Sequence, residues 1–520
     1  MTERNRFFKH VFGGGFASDF GSDAETILAG NNTVVIPYLV DAENLVYDLD
    51  GGPIKSPGTT KLNSSAVESG AYVYGLVDAW FSGTTGAPVQ KRVIHAGTKI
   101  LKDDADGTFD DLFTGLESGK IPSYTMLEDL LIMTSNSTTD VPKSWDNSTA
   151  QSLAGSPPNF AICTTHKNRV WASGNAALPS RLYYSASLNG ADWTGRGSGH
   201  IDIDPSDGDI VTGIRSYKDQ LIVFKGPNIG SIHVISGNAP FDFAKNPLVT
   251  GVGAVGHNSI FNFRDDLGFM WADGSIRSLS ATAAQGDFAQ GALSAPISKW
   301  IRTHLNITKA NQFWAANNDE YGHILFSVAI NGSATNNYTL MMDYRFSPVR
   351  WAIWPAYLSG CVASVVDGDT NNRRIIMAGG VDGFVRKYNQ ATGAIDGTGA
   401  INYKWTTPFL NYGNPIMLKN IEQASLSLVA ENNNTLTLGW TRDSNAKQTV
   451  NFTQSGNAVL DSFTLGTDAL AGGAIIDLWT EMTDGGEFHS IQYQLSESAT
   501  TKTNIHGFGV SITGGGWSTA

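Results

Sequence analysis

The chain has 520 residues, 41% of them hydrophobic and 16% charged, with a formal net charge of -13. That balance excludes a disordered chain, and its acidity excludes a broad basic surface of the kind that grips nucleic acid. The length excludes a single ordinary core, so two to four domains or a repeat architecture must absorb the residues. The start, Met1 to His10, is charged and has no apolar stretch of a signal peptide. No run approaches the roughly 18 apolar residues of a membrane span, so the expectation is a protein made and kept in a cytoplasm until it assembles. Gly13-Gly14-Gly15 precedes no strand-helix unit and reads as a flexible lead.

Helical periodicity is nearly confined to two short stretches. Tyr38 to Tyr47 carries apolar residues at mixed spacing, and Ile297 to Leu305 has an i, i+3, i+4 pattern worth about two turns. Elsewhere apolar residues alternate, or run for four to seven positions between Gly, Asn and Asp, which predicts strands joined by turns. One pattern recurs as strand, tight turn, strand: Val93 to Lys102, Phe269 to Leu279 and Ile376 to Tyr388. The last two turns contain Asp-Gly, which tolerates the positive φ of a tight hairpin. Looser copies of the first strand stand at Leu130–Met133, Arg169–Ala172, Leu221–Phe224 and Ile324–Val328. In Ile210 to Phe224 an alternating strand turns at Lys218-Asp219 and returns as an apolar run expected in the buried middle of a sheet.

The copies start near 93, 130, 170, 222, 269, 324 and 376, roughly 40 to 55 residues apart, the spacing of one four-stranded propeller blade. Seven units are counted, and the expected fold class is all-β, with a β-propeller of six to eight blades. After about residue 395 the echo stops. Strands such as Ala424–Val429, Thr435–Trp440, Ser490–Leu495 and Ile505–Ile512 are longer and alternate more strictly, which predicts a C-terminal β-sandwich-like domain, followed by a glycine-rich tail to Trp517.

Chemistry is sparse. Two acidic loops, Asp103-Asp104-Ala105-Asp106-Gly107 and Asp202 to Asp209, gather carboxylates as a calcium site would. Both lack the bidentate Glu that completes an EF-hand, so solvated turns are the reading for both. Ser185 to Trp193 resembles the Asp-box turn of sialidases, with Asn189 where Asp is usual, and that box is a structural turn. No P-loop, strand-to-helix GxGxxG, GxSxG or HExxH occurs. Cys163 and Cys361 have no CxxC or CxxH neighbour and read as small buried thiols. His233 reads as a strand-face residue, and Arg350-Trp351-Ala352-Ile353-Trp354 as packing. No catalytic, cofactor-binding or metal-ligating residue is assigned, no cofactor is expected, and the chain is read as a non-enzyme.

Four stretches taken together carry a resemblance: Phe12-Gly13-Gly14-Gly15-Phe16, the segment Glu43 to Asn63, the block Arg181 to Trp193, and Gly253 to Gly256 leading into Asp273 to Leu279. In this order they resemble tail nozzle (tail hub) proteins of short-tailed bacteriophages, over residues 10 to 400. The resemblance implies a homo-hexameric ring in the virion, below the portal and tail adaptor. A propeller would lie on the outside of each subunit, tail fibre, spike or needle proteins nearby, and DNA would pass through the lumen without sequence-specific binding. It divides the chain into an N-terminal arm and platform segment (1–66), a propeller (67–395) and a C-terminal platform domain (396–520), with Glu43 to Asn63 in a layer shared with the C-terminal strands. The alternatives are a sialidase-like carbohydrate-active propeller enzyme and a host-surface glycan-binding module.

Overall fold

The computed structural model describes residues 6–20, 23–24, 27–29, 33–83, 86–103, 107–237, 242–285, 292–367, 373–389, 392–429, 434–443, 445–454, 475–482 and 486–514. The chain forms two compact units. A repeat unit takes Lys61–Thr339 and Tyr357–Lys387, and a terminal unit takes Met1–Thr60, Leu340–Ala356 and Tyr388–Ala520.

The repeat unit is a succession of antiparallel sheets. Four have four strands each in chain order: Val73–Ser82 to Phe109–Phe113, Pro122–Leu127 to Ala150–Ser152, Ile162–His166 to Gly199–Asp202, and Ile210–Tyr217 to Ala244–Thr250. A three-stranded sheet (Phe261–Phe263, Asp266–Met270, Ile276–Ser278), the hairpin Trp314–Asn318 with His323–Val328, and a final set (Ser359–Asp367, Arg373–Gly380, Val385–Asn389) follow. Each of the seven starting positions read from the sequence lies in the second strand of one of these sheets. The first strands touch their neighbours in turn, with the short turn His257–Ser259 carrying the contact into the fifth sheet, and Ser359–Asp367 packs back on Val73–Ser82.

Local chemistry explains the hairpins. Lys218 and Asp219 both have positive φ, 43° and 61°, as a two-residue turn of the mirror-image type requires. In Asp273-Gly274 and Asp382-Gly383 only the glycine does, with φ of 81° and 78°. The aspartate there has a separate task. Oδ1 accepts the N–H two residues on, from Ser275 (2.8 Å) and Phe384 (3.4 Å), while Oδ2 pairs with the arginine four residues on, Arg277 (3.1 Å) and Arg386 (2.7 Å). The returning strands then fill the core between sheets. Leu221, Ile222, Val223 and Phe224 are at most 1% exposed, and full burial of such a side chain is worth about 1.5–3 kcal/mol.

In the terminal unit the N- and C-terminal strands are interleaved. Arg6–Phe12 runs parallel to Thr33–Ile36 on one side and antiparallel to Ile505–Gly514 on the other, and Lys419–Val429 and Ile475–Glu481 continue that sheet. In a second sheet Gly399–Thr406 lies between Asp41–Glu43 and Ile491–Ala499. Strict alternation buries Phe8, His10 and Phe12 and leaves Phe7, Lys9 and Val11 outward. The inward set meets the second sheet in one aromatic cluster: Phe8 on Tyr412, Phe12 on Trp405, and His10 and Phe508 around Tyr493. His10 Nε2 bonds the Tyr412 hydroxyl at 3.0 Å, which bonds that of Tyr493 at 2.9 Å.

Two expectations are corrected. Gly13-Gly14-Gly15 is no flexible lead: Gly13 donates to Ile36 O, Leu39 donates to Gly15 O, and a Cβ on Gly14 would stand 2.2 Å from Pro37 O. The glycines are there because two backbones approach too closely for any side chain. Tyr38 to Tyr47 is strand, not helix. Asn44, at φ 50°, kinks the chain between Asp41–Glu43 and Leu45–Tyr47, and its amide is fixed by Asn402 O and by the N–H of Ala356. The helix read at Ile297 to Leu305 is present as Ser298–His304. A second, Leu279–Gln285, went unread; Ser278 Oγ caps it by accepting the Ala281 N–H.

Candidate functional site

The acidic loop Asp202 to Asp209 already holds a cation, an ammonium of the chain itself. Lys225 ends the apolar run of its strand with no exposed side-chain surface, and its Nζ reaches Ile203 O (2.7 Å), Asp204 O (2.8 Å) and Asp207 Oδ1 (2.7 Å). Asp204 pairs with Lys245, and Asp209 accepts the N–H groups of Asn228, Ile229 and Gly230. Asp202 pairs with Arg181 at 2.7 Å, so all four carboxylates of the loop have partners within the chain. In the other acidic loop Asp103 is buried and paired with Arg92 at 3.4 Å, and Asp104 to Asp106 lie outside the described residues.

The remaining singled-out residues are structural in their contacts. Asn189 Oδ1 accepts the Ala191 N–H, Asp192 Oδ1 accepts that of Gly195, and Trp193 is buried against Phe160 with its Nε1 on Gly190 O. Arg350 donates to Gly51 O and Phe12 O while its guanidinium lies 3.9 Å from the Phe346 ring centroid, and Trp354 Nε1 donates to Leu45 O. Cys163 and Cys361 are free and buried, and burial pushes both thiols up to about 12. His233 is buried in its strand beside the Ser231 hydroxyl, its pKa lowered by burial.

One feature that sequence reasoning missed is a polar cavity of about 500 Å³ in the repeat unit. Its wall draws on the first strands of five successive sheets, through Thr164, Arg215, Phe261, Trp314 and Ser364. Arg264, Asp319 and Arg374 also line it, giving three guanidinium groups to one carboxylate in a chain of net charge -13. Arg215 Nη2 donates to two backbone carbonyls, His257 O (3.4 Å) and Ile260 O (3.2 Å), and among the described residues no carboxylate pairs with it. Loss of hydration draws its pKa down to about 10. Asn317 Nδ2 donates to Asn262 O and to Asp319 Oδ1. In the same wall Trp314 Nε1 and Ser364 Oγ are buried without a hydrogen-bond partner among the described residues. The sequence held only a faint signal for this site, a lone arginine in a strand otherwise built of Ile, Val, Thr, Gly, Ser and Tyr.

No family model matches the chain, and no curated protein matches it. Among solved structures it is similar to YCF48 bound to a D1 peptide, with 9% identity, 66% of this chain and 97% of that chain covered, and a TM-score of 0.38. It is also similar to the Cps50 (Swd1) β-propeller domain of Myceliophteria thermophila, with 10% identity, coverage of 63% and 98%, and a TM-score of 0.37.

Proposed function

We propose that this chain is the tail nozzle subunit of a short-tailed phage virion, a structural protein whose copies form a ring around the path of the ejected DNA. The repeat unit is read as a seven-bladed propeller, supported by seven successive sheets whose first strands contact in turn and return to the start. The observation that carries the functional reading is the terminal unit. Residues 1–60, 340–356 and 388–520 belong to one body, with Arg6–Phe12 paired to Ile505–Gly514 and Asp41–Glu43 to Gly399–Thr406. The resemblance to nozzle proteins calls for a platform layer shared by Glu43 to Asn63 and the C-terminal strands, and residues 43–60 of that segment belong to this body.

Two further observations support assembly as the mode of action. The outer face of the terminal sheet carries Phe7 and Trp479, 42% and 55% exposed with ring centroids 5.3 Å apart, an aromatic patch that a ring neighbour would cover. The acidity of the chain suits a conduit, because a wall poor in Lys and Arg repels phosphate at short range instead of trapping it. Imaging of the purified protein, alone and with neighbouring tail proteins, tests the reading. A closed ring of about six subunits, lost in Phe7→Ser/Trp479→Ser, is expected; a strict monomer absent from particles overturns it.

A further inference from the structure

We propose that the polar cavity lined by five sheets of the repeat unit is a binding site for a small oxyanion, a carboxylate or phosphate group borne by a free ion or a compact acidic sugar. This goes beyond the nozzle reading and does not depend on it.

The argument begins with charge. A cation withdrawn from water is ordinarily paired with a carboxylate, because carbonyl dipoles alone compensate its lost hydration incompletely. Arg215 has carbonyl partners only; Arg374, an exposed residue of the same lining, adds a second guanidinium that makes no ion pair among the described residues. Asp319, the one acid among the described residues of the wall, accepts a hydrogen bond from Asn317. The excess positive charge therefore faces the cavity, and guanidinium groups present planar, forked donors that suit carboxylate and phosphate.

The second strand of argument is the donor inventory. Trp314 Nε1 can only donate, and it stands orphaned in the same wall as Ser364 Oγ. A buried donor without a partner is costly, and an acceptor-rich ligand relieves it. The volume of about 500 Å³ lies within the range of small-molecule sites and is far too small for duplex DNA. Because the wall comes from five sheets, with shared buried cores between the third, fourth and fifth, the donors are positioned before any ligand arrives.

Isothermal titration of the full chain with inorganic phosphate, glucuronate and neutral glucose tests the site. Saturable one-site binding of phosphate, glucuronate or both is expected, with glucose silent; the phosphate and glucuronate arms identify which oxyanion the site takes. Arg374→Gln, at the rim, is expected to weaken binding about tenfold or more while melting stays as in the parent. Arg215→Gln is expected to abolish it. No saturable binding of either anion, equal binding of glucose, or unchanged affinity in Arg374→Gln overturns the proposal. The Arg374 variant keeps the test decisive even where Arg215→Gln disturbs the fold.

Discussion

Lys55 and Glu497 lie 442 positions apart and meet as an ion pair at 3.1 Å with no side-chain surface exposed on either partner. The same ammonium donates to Ala499 O at 2.6 Å and Thr501 O at 3.2 Å, and Thr503 Oγ1 donates to Glu497 Oε2, the oxygen nearest the ammonium, at 3.1 Å. Burial pulls the lysine pKa down and pushes the glutamate pKa up, so desolvation opposes the pair that attraction holds. Removing one partner leaves a lone buried charge. Lys55→Met is therefore expected to destabilise the terminal unit by about 3–5 kcal/mol. A double-mutant cycle with Glu497→Gln should return a coupling on the order of 1–3 kcal/mol in denaturant unfolding.

Acid should loosen the terminal unit through His10. Burial lowers its pKa from 6.5 to about 3, so the folded imidazole stays neutral where the unfolded one has taken up a proton. Between those values the unfolded chain binds more protons, and stability falls as pH falls. The loss begins near pH 6.5 and approaches about 1.4 kcal/mol per pH unit. His95, lowered to about 4 by burial, adds a similar slope in the repeat unit. Melting at pH 7, 6 and 5, above the main carboxylate range, should show the decline. His10→Gln, whose amide can still hydrogen-bond the Tyr412 hydroxyl, should remove the His10 share of that slope and leave the share of His95.

Removal of divalent metal should leave the acidic loop at Asp202 to Asp209 untouched, because Lys225 occupies it. A chelator is expected to leave the melting temperature of the parent chain unchanged. Lys225→Met strips the ammonium from the carbonyls of Ile203 and Asp204 and leaves Asp207 Oδ1 only the Asp209 N–H, and about 3 kcal/mol is the expected cost. A drop in melting temperature on chelation of the parent chain would show that a metal, not the lysine, holds the loop.

The repeated sheets were legible because a strand writes its burial into a period of two and a hairpin writes its turn into Gly, Asp and Asn. Leu221 to Phe224 and the turn at Lys218-Asp219 are local facts, and local facts survive without coordinates. The Lys225 cage was half legible: a lysine closing a wholly apolar run signals a buried ammonium, but its carbonyl partners lie about 20 residues upstream. The cavity was hidden for a different reason. Arg215, Trp314 and Arg374 come from separate sheets, and each is unremarkable in its own strand until the succession of sheets brings them around one space. The Gly13 to Gly15 run misled because flexibility and close approach select the same residue, and only the neighbour, Pro37, tells them apart.

That neighbour makes the glycine run a sharp test. A Cβ at Gly14 would lie 2.2 Å from Pro37 O and 3.2 Å from Pro37 C, and one at Gly15 would lie 2.8 Å from Arg350 Cβ and 2.9 Å from the Trp351 nitrogen. Backbone atoms fixed by pairing on both sides cannot yield as the end of a flexible side chain would. Leu39 donates to Gly15 O at 3.0 Å, and Phe16 donates to Trp351 O at 3.0 Å. Gly14→Ala and Gly15→Ala are each expected to cost about 1–3 kcal/mol through overpacking. Replacement of glycine by alanine in a truly flexible lead would instead be neutral or slightly stabilising, through the unfolded chain. Equilibrium unfolding of the two variants decides between these signs.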